Sequence, residues 1–421
     1  MTGSRAMAVV AGCFVAGACA AFAVLELTGG RPLYRSPLEV PRSRPQRASL
    51  LPAKIENRHP RPAVSTEGFV GSAACRECHL DVCDTYAHSA MGRSFAPAAE
   101  APVIEDYTGA EFTVATLLHA RGKLVYAAER TDDGRIVHHE RRYDEFGKLL
   151  YDQAVPIDYE VGSGQRGRSY LLHRYGRFFQ SPITWYSTKR VWDLSPGYAK
   201  INLRFHRRIV DACLACHVGR ARPDPRQPDA FLKPAVTEAS IGCERCHGPG
   251  ADHVAFQRDG AEGDDPIVNP DRLPPRQRDS VCEQCHLQGR ARVLRYGRSD
   301  FDFRPGDRLS DVWVVFPEGT GIRDDQTTRA VNQVEQMRSS RCYRESDGGL
   351  SCTSCHDPHR TVPREEAPAF YRSRCLNCHG PNGPHADCAL AETERRRRVA
   401  NDSCIACHMP PLKAADVPHT A

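Results

Sequence analysis

Aromatic residues make up only 8% of this 421-residue chain, tryptophan occurs three times, and hydrophobic residues of every kind reach 40%. A chain of this length has room for two or three ordinary domains. With 31 prolines and 32 glycines it is nonetheless loop-rich, and so little apolar volume means that something besides side chains fills its interior. A strong charge of one sign is missing as well. The formal charge is +5, with runs such as the four arginines Arg395 to Arg398, too modest a balance to call for a nucleic-acid partner. Equal internal repeats are lacking, which excludes a solenoid.

What the chain has is cysteine, nineteen in all, and fourteen of them fall into one pattern. Cys-x-x-Cys-His occurs at Cys75/Cys78/His79, Cys213/Cys216/His217, Cys243/Cys246/His247, Cys282/Cys285/His286, Cys352/Cys355/His356, Cys375/Cys378/His379 and Cys404/Cys407/His408. From the frequencies of Cys and His, chance supplies roughly 0.04 such motifs in a chain of this length. Structural zinc also takes Cys pairs at this spacing. It asks for nothing directly after the second Cys, whereas here every Cys-x-x-Cys is followed by His. Covalent haem does ask for that residue. Two sulfurs three residues apart lie on one face of a helical turn, placed for thioether bonds to one haem, and the adjacent imidazole becomes the proximal iron ligand. Seven covalent c-type haems are therefore expected. They would supply the missing apolar volume, and their propionates would offset the positive charge, with arginine forks as partners. The arginines of Glu392 to Arg398 read equally as a solvated helix face.

Five cysteines remain, Cys13, Cys19, Cys83, Cys342 and Cys388. The last three allow at most one disulfide among them and are otherwise expected to be buried free thiols.

Along the chain, residues 1–28 read as a signal peptide or membrane anchor, because Met7 to Leu25 is an uncharged run behind Arg5. Either role exports the protein to the periplasm or the outer face of the cytoplasmic membrane. Residues 29–68 are rich in Pro and Arg and read as a tether. Residues 69–99 carry the first motif. A gap of 138 residues then separates Cys75 from Cys213, against 23 to 70 between later motif starts. Residues 100–205 alternate polar and apolar residues, with a hairpin signal at Asp133-Gly134, and read as a small antiparallel β insert. Residues 206–421 form a six-motif core. The expected fold is short helices and loops wrapped around stacked haems, with the β insert packed on them.

An iron whose sixth position holds a second histidine transfers electrons, and one left open binds small molecules. Eleven histidines lie outside the motifs. His88, His253, His359 and His385 each sit shortly after a motif, too near to fold back over their own iron but able to reach a neighbour's. His206 is a fifth candidate, and His173 and His419 are weaker ones. His138 and His139 adjoin on an expected strand, so only one looks inward. Ten candidates without the tether residue His59 exceed seven irons, so nothing in the sequence forces an open one. No Cys-x-x-Cys-Lys motif, the mark of the pentahaem nitrite reductases, is present.

Beyond the cysteines, the segments GFVGSAACRECHLDVCDTYAHSAMGRSF, YEVGSGQRGRSYLLHRYGRFFQSPITWYS, WDLSPGYA, GCERCHGPGADHV, FRPGDRLSDVW, CTSCHDPH and CIACHMPP resemble bacterial multihaem cytochromes of the cytochrome c554 and doubled-CxxCH type. The resemblance runs over roughly residues 69 to 421. It implies a periplasmic or surface haem protein with mostly bis-histidine irons in close stacked pairs. Tetratricopeptide repeats, to which some relatives are fused, are absent here, which implies that another chain docks the partner. The expected function is electron transfer through seven haems. Its partners would be other redox proteins or a quinone-linked membrane complex, not nucleic acid. The alternatives are a reductase or oxidase of a small nitrogen or sulfur compound at one five-coordinate haem, and a haem-based redox sensor.

Overall fold

The computed structural model describes residues 68–114, 122–317, 332–385 and 387–409. The apolar run Met7 to Leu25, the tether, His59, His119 and His419, with Cys13 and Cys19, lie outside the described residues. Among the described residues no helix is long and apolar enough to cross a membrane.

Fourteen strands of the described residues form four antiparallel sheets. A four-stranded sheet is ordered β2 (Glu111–Val114), β3 (Lys123–Arg130), β4 (Ile136–Tyr143), β5 (Leu149–Pro156). A larger sheet runs β1 (Phe95–Pro97), β6 (Tyr159–Val161), β7 (Arg168–Arg174), β8 (Arg177–Tyr186), β10 (Arg207–Arg208), with β9 (Val191–Leu194) also paired to β8. β3 and β4 are joined through Asp133-Gly134, where Gly134 has φ 81° and its amide closes the turn on Thr131. β7 and β8 turn at Tyr175-Gly176, both with positive φ, the conformation that matches strand twist in a two-residue hairpin.

Side-chain alternation gives the larger sheet two different faces. Tyr170, Ile183, Trp185 and Trp192 join Leu124, Tyr126, Ala128 and Ile136 of the smaller sheet in one buried cluster, so the two sheets pack face to face. The neighbouring positions Leu171 and Phe178 look the other way, onto Leu214 and Ala215 of the second motif. His138 and His139 split as alternation requires. His138 is fully buried with Nδ1 2.7 Å from Ser181 Oγ, and burial lowers its pKa to about 3. His139 pairs with Asp152 at 2.8 Å.

Strand structure extends past residue 205, into the segment expected to be helix and loop. β11 (Arg220–Pro223) pairs with β12 (Phe231–Glu238), and β13 (Ala291–Leu294) with β14 (Trp313–Phe316). The helices are short: α1 (Ser72–Arg76), α2 (Leu80–Ala87), α3 (Asp211–His217), α4 (Glu244–His247), α5 (Ala251–Arg258), α6 (Pro275–His286), α7 (Gln333–Ser339), α8 (Arg341–Glu345), α9 (Cys352–Cys355), α10 (Ala367–His379), α11 (Glu392–Arg398) and α12 (Cys404–His408). Among the described residues no hydrophobic side chain beyond Val334 is buried. The leftover thiols also differ from expectation. Cys342 and Cys388 are exposed and Cys83 is half-buried, because the helices around them enclose no side-chain interior.

Candidate functional site

Each motif forms one helical turn and then stops. In the first, third and fifth motifs the amide of the motif histidine donates to the carbonyl of the first cysteine, at 2.9, 3.0 and 2.9 Å. The other four motifs lie at the C-terminal ends of α3, α6, α10 and α12. The chain then leaves the helix, for example at Val218 and Leu287 in extended conformation and at Gly248 with φ 78°. Both sulfurs and the imidazole thus sit on a terminal turn; in the first motif a second helix, α2, follows directly, with His79 as its N-cap.

Long-range contacts bring motifs together. Ser72 Oγ accepts from the Cys243 amide at 3.0 Å, and Glu244 accepts from the amides of Val70 and Gly71 at 2.9 and 2.8 Å, which fixes the first motif on the third. Arg220 holds Glu244 from the other side at 2.7 Å. Thiols of different motifs touch in pairs: Cys75 with Cys243, Cys216 with Cys285, and Cys282 with Cys352. In each pair the shared hydrogen bond holds one thiol up and the other down, and Cys243 and Cys285 are lowered to about 6.

The attachment cysteines are not enclosed alike by the chain's own side chains. Cys78 of the first motif, Cys213 of the second and Cys407 of the seventh are exposed, whereas the other eleven motif cysteines are partly buried. For Cys78 and Cys407 the reason is position. They are the second cysteines of the outermost motifs: Cys78 lies in the turn between α1 and α2 and Cys407 on α12, and none of these helices contains a buried residue. The protein's own side chains therefore do not cover these two sulfurs. An uncovered sulfur is open to a thioether bond, so Cys78 and Cys407 fit haem attachment at the rim of the fold rather than in its interior.

Two of the extra histidines meet motif histidines across long stretches of sequence. His253 faces His79 with ring centroids 6.3 Å apart and planes 16° from parallel. His359 faces His247 at 5.9 Å and 14°. In both pairs one ring is anchored through Nδ1, which leaves its Nε2 uncommitted: His253 to Asp265 at 2.8 Å, and His247 to the carbonyl of Val268 at 2.9 Å. Burial lowers the His247 pKa, with His359, His79 and His253 adding to the effect, so its ring is neutral near pH 7.

The remaining candidates are placed differently. His385 stands beside its own motif, its ring 5.6 Å from that of His379. This placement comes from the Gly-Pro-Asn-Gly turn, where the Gly383 amide bonds to Gly380 and a Cβ at Gly383 would stand 2.2 Å from the Cys378 carbonyl. His88 and His206 are exposed. His173 stacks on Phe178 at 4.5 Å, with Nε2 buried and unpartnered.

Several polar atoms around the motifs are buried without hydrogen-bond partners: Nε of Arg245 and Arg292, Nη2 of Arg278, and Nδ1 of His286. Such groups cost free energy unless something satisfies them. Guanidinium groups suit carboxylates, so they fit haem propionates. Apolar side chains beside motifs, Leu80, Leu376 and Met409 among them, stand exposed, as surfaces awaiting an apolar plate would. Among the described residues no three or more His, Cys, Asp or Glu side chains converge as a metal cage. Sequence reasoning missed Asp265, Glu244 and Arg245. The last two lie between the cysteines of the third motif, and only that position hints at them.

Comparison with known proteins supports this chemistry. Residues 193–248, which hold the second and third motifs, match the family described as cytochrome c554 and c-prime. Among solved structures, the outer cell wall cytochrome OcwA is similar, with 17% identity and a TM-score of 0.42 over 77% of this chain and 59% of that one. The chain thus spans less than two thirds of that protein's length. None of the curated proteins matches it. The match over residues 193–248 bears out, over that stretch, the resemblance read from the motifs.

Proposed function

We propose that this chain is an exported electron carrier with haem c attached at all seven motifs and mostly bis-histidine irons. The observation that carries the reading is the pairing of His79 with His253 and of His247 with His359. Two imidazoles bound to one metal from opposite sides, at about 2 Å per bond, put their ring centroids roughly 6 Å apart. Both pairs stand at that separation with nearly parallel planes.

Haem supplies the one-electron chemistry, and the chain's own residues set how readily it occurs. Asp265 and the Val268 carbonyl orient one ring of each pair through Nδ1, which fixes the tautomer and raises the basicity of the free nitrogen. Glu244 ties the first motif to the third and keeps His253, four residues beyond Pro249, near His79. Export follows from the need of all seven motifs for attachment outside the cytoplasm, with Met7 to Leu25 as the signal or anchor. The partners are redox proteins or a quinone-linked membrane complex.

Replacing His359 with Ala tests the reading. All seven haems should stay attached, one low-spin iron should become high-spin by electron paramagnetic resonance, and carbon monoxide should bind about one equivalent when reduced. The wild type should bind little. A wild type that already binds carbon monoxide and reduces nitrite or hydroxylamine would make the chain an enzyme, and an unchanged spin state in His359→Ala would overturn the ligand pairing.

A further inference from the structure

The second variable residue of three motifs meets at one place: Ala215 of the second motif, Arg245 of the third and Gln284 of the fourth. Arg245 Nη2 donates to the Ala215 carbonyl at 2.6 Å, and Gln284 Nε2 donates to the Arg245 carbonyl at 3.1 Å. The Cys216 thiol lies 3.7 Å from the Gln284 carbonyl, which closes the triangle. Gln288 reinforces that side through Cys216 Sγ, also at 3.7 Å. The remaining motifs meet otherwise. The first touches the third through Ser72, the fourth touches the fifth through Cys282 and Cys352, and Arg372 of α10 reaches Cys404 Sγ of the seventh motif at 3.8 Å.

A second guanidinium stands at the same point. Arg292 donates to the Gln284 carbonyl at 2.6 Å and lies over the Trp313 ring at 3.6 Å. The Nε atoms of both arginines are buried without partners, so charge here is poorly screened. Arg245 itself adjoins Cys246, its acceptor Ala215 adjoins Cys216 and its donor Gln284 adjoins Cys285, one attachment sulfur in each motif.

We infer that the second, third and fourth motifs form a three-way branch point of the electron path, positioned and charged by Arg245. The inference rests on haem c occupying these motifs. Electrons arriving at the junction have three continuations: toward the first motif, toward the second, and through the fourth toward the fifth. In each transfer one electron leaves a ferrous centre and reduces a ferric one, no atom moves, and redox partners supply and remove the electrons. Reduction adds negative charge, so a half-buried cation beside three attachment sites raises several potentials together.

The test is a spectropotentiometric titration of the holoprotein, with haem content first fixed by intact mass. Arg245→Gln should keep seven haems, since no cysteine or histidine is touched, and move at least two of the seven components to lower potential. Arg245→Lys, which keeps the charge, should leave them near the wild type. A shift of one component or none in Arg245→Gln, or an equal shift in both variants, would overturn the branch point. If Arg245→Gln loses haem, Arg292→Gln, outside every motif, must lower at least two components or the inference falls. A wild type lacking haem at these motifs would defeat the carrier reading instead, and seven haems without a joint shift would defeat only the junction.

Discussion

The two packed sheets and the segment from residue 335 to 409 are built on opposite terms. In the sheets Tyr126, Tyr170, Phe178 and Ile183 are 0% exposed and Trp185 is at 2%, so aromatic and branched side chains fill the space between strands. In α8, α9, α10, α11 and α12 no residue is buried, although these helices carry three of the seven motifs. The first region meets the cost of ordering its chain by burying apolar side chains. The second cannot do so by itself, and on the proposed reading haem takes the place of the absent side chains. The scarcity of aromatics in the sequence is thus unevenly distributed: those present are concentrated where no motif occurs.

The difference can be broken most severely by withholding haem. Deleting residues 1–28 should leave the chain in the cytoplasm, where no haem is attached. Limited proteolysis of that product should then spare fragments covering β1 to β10 and digest residues 335–409. Equal resistance of both regions, or red soluble protein from this deletion, would erase the contrast.

A smaller effect is expected from single core substitutions. Ile183→Ala should cost about 2–5 kcal/mol in the thermal or denaturant transition of the sheets, with no change in haem mass. Leu376, 37% exposed and lying between the cysteines of the sixth motif, supplies the counterpart. Leu376→Ala should destabilise the holoprotein by about 1–3 kcal/mol and leave the haem-free chain unaffected. A cost that is the same with and without haem would mean that no apolar plate covers this side chain.

The sheets also carry a buried charge arrangement unlike the paired surface ions of the helices. Arg168 stands between Glu105 at 3.0 Å and Glu160 at 2.5 Å, with Tyr170 donating to Glu105 at 2.9 Å. One arginine balances one carboxylate. Burial therefore pushes Glu160 up to about 8, against the pull of Arg168 and with Glu105 adding to the rise. The folded state then holds a proton that the unfolded chain releases at lower pH. Stability should fall as pH rises from the ordinary carboxylate range toward about 8. Glu160→Gln should flatten that slope in thermal melts, and an unchanged slope would assign it elsewhere.

The smallest effect belongs to α11. Arg396 pairs with Glu392 and Arg398 with Glu394, both at 2.8 Å and one helical turn apart, while Arg395 clamps Asp402 at 2.7 Å. Arg396→Ala should change stability by about 0.5 kcal/mol or less, as exposed pairs do. Here the solvated-face reading of the arginine run is the one the contacts favour.

How much was legible follows the range of each interaction. The seven motifs, the Asp133-Gly134 hairpin and the opposed faces of His138 and His139 are set by residues a few positions apart, and period and spacing expose them. The meeting of Ser72 with Cys243 and of His247 with His359 spans more than a hundred residues, and no local pattern encodes it. The same holds for exposure within the motifs: Cys78 and Cys407 carry the same local pattern as Cys246 and Cys285, and only the packing of distant segments leaves the first two uncovered. The place of His385 is set by a local turn instead. Gly380 and Gly383 make that turn tight and bring its ring beside that of His379. Cys342 and Cys388 were expected inside because cysteine usually is, but the segment they occupy has no side-chain interior.

The account stands most directly on the intact mass of the matured protein, measured after acid-acetone extraction so that only covalent haem remains. It predicts the processed polypeptide plus seven haem masses. A shift of six or fewer would leave a motif vacant, and an unmodified mass, or one explained by zinc, would contradict the haem-built half of the molecule altogether.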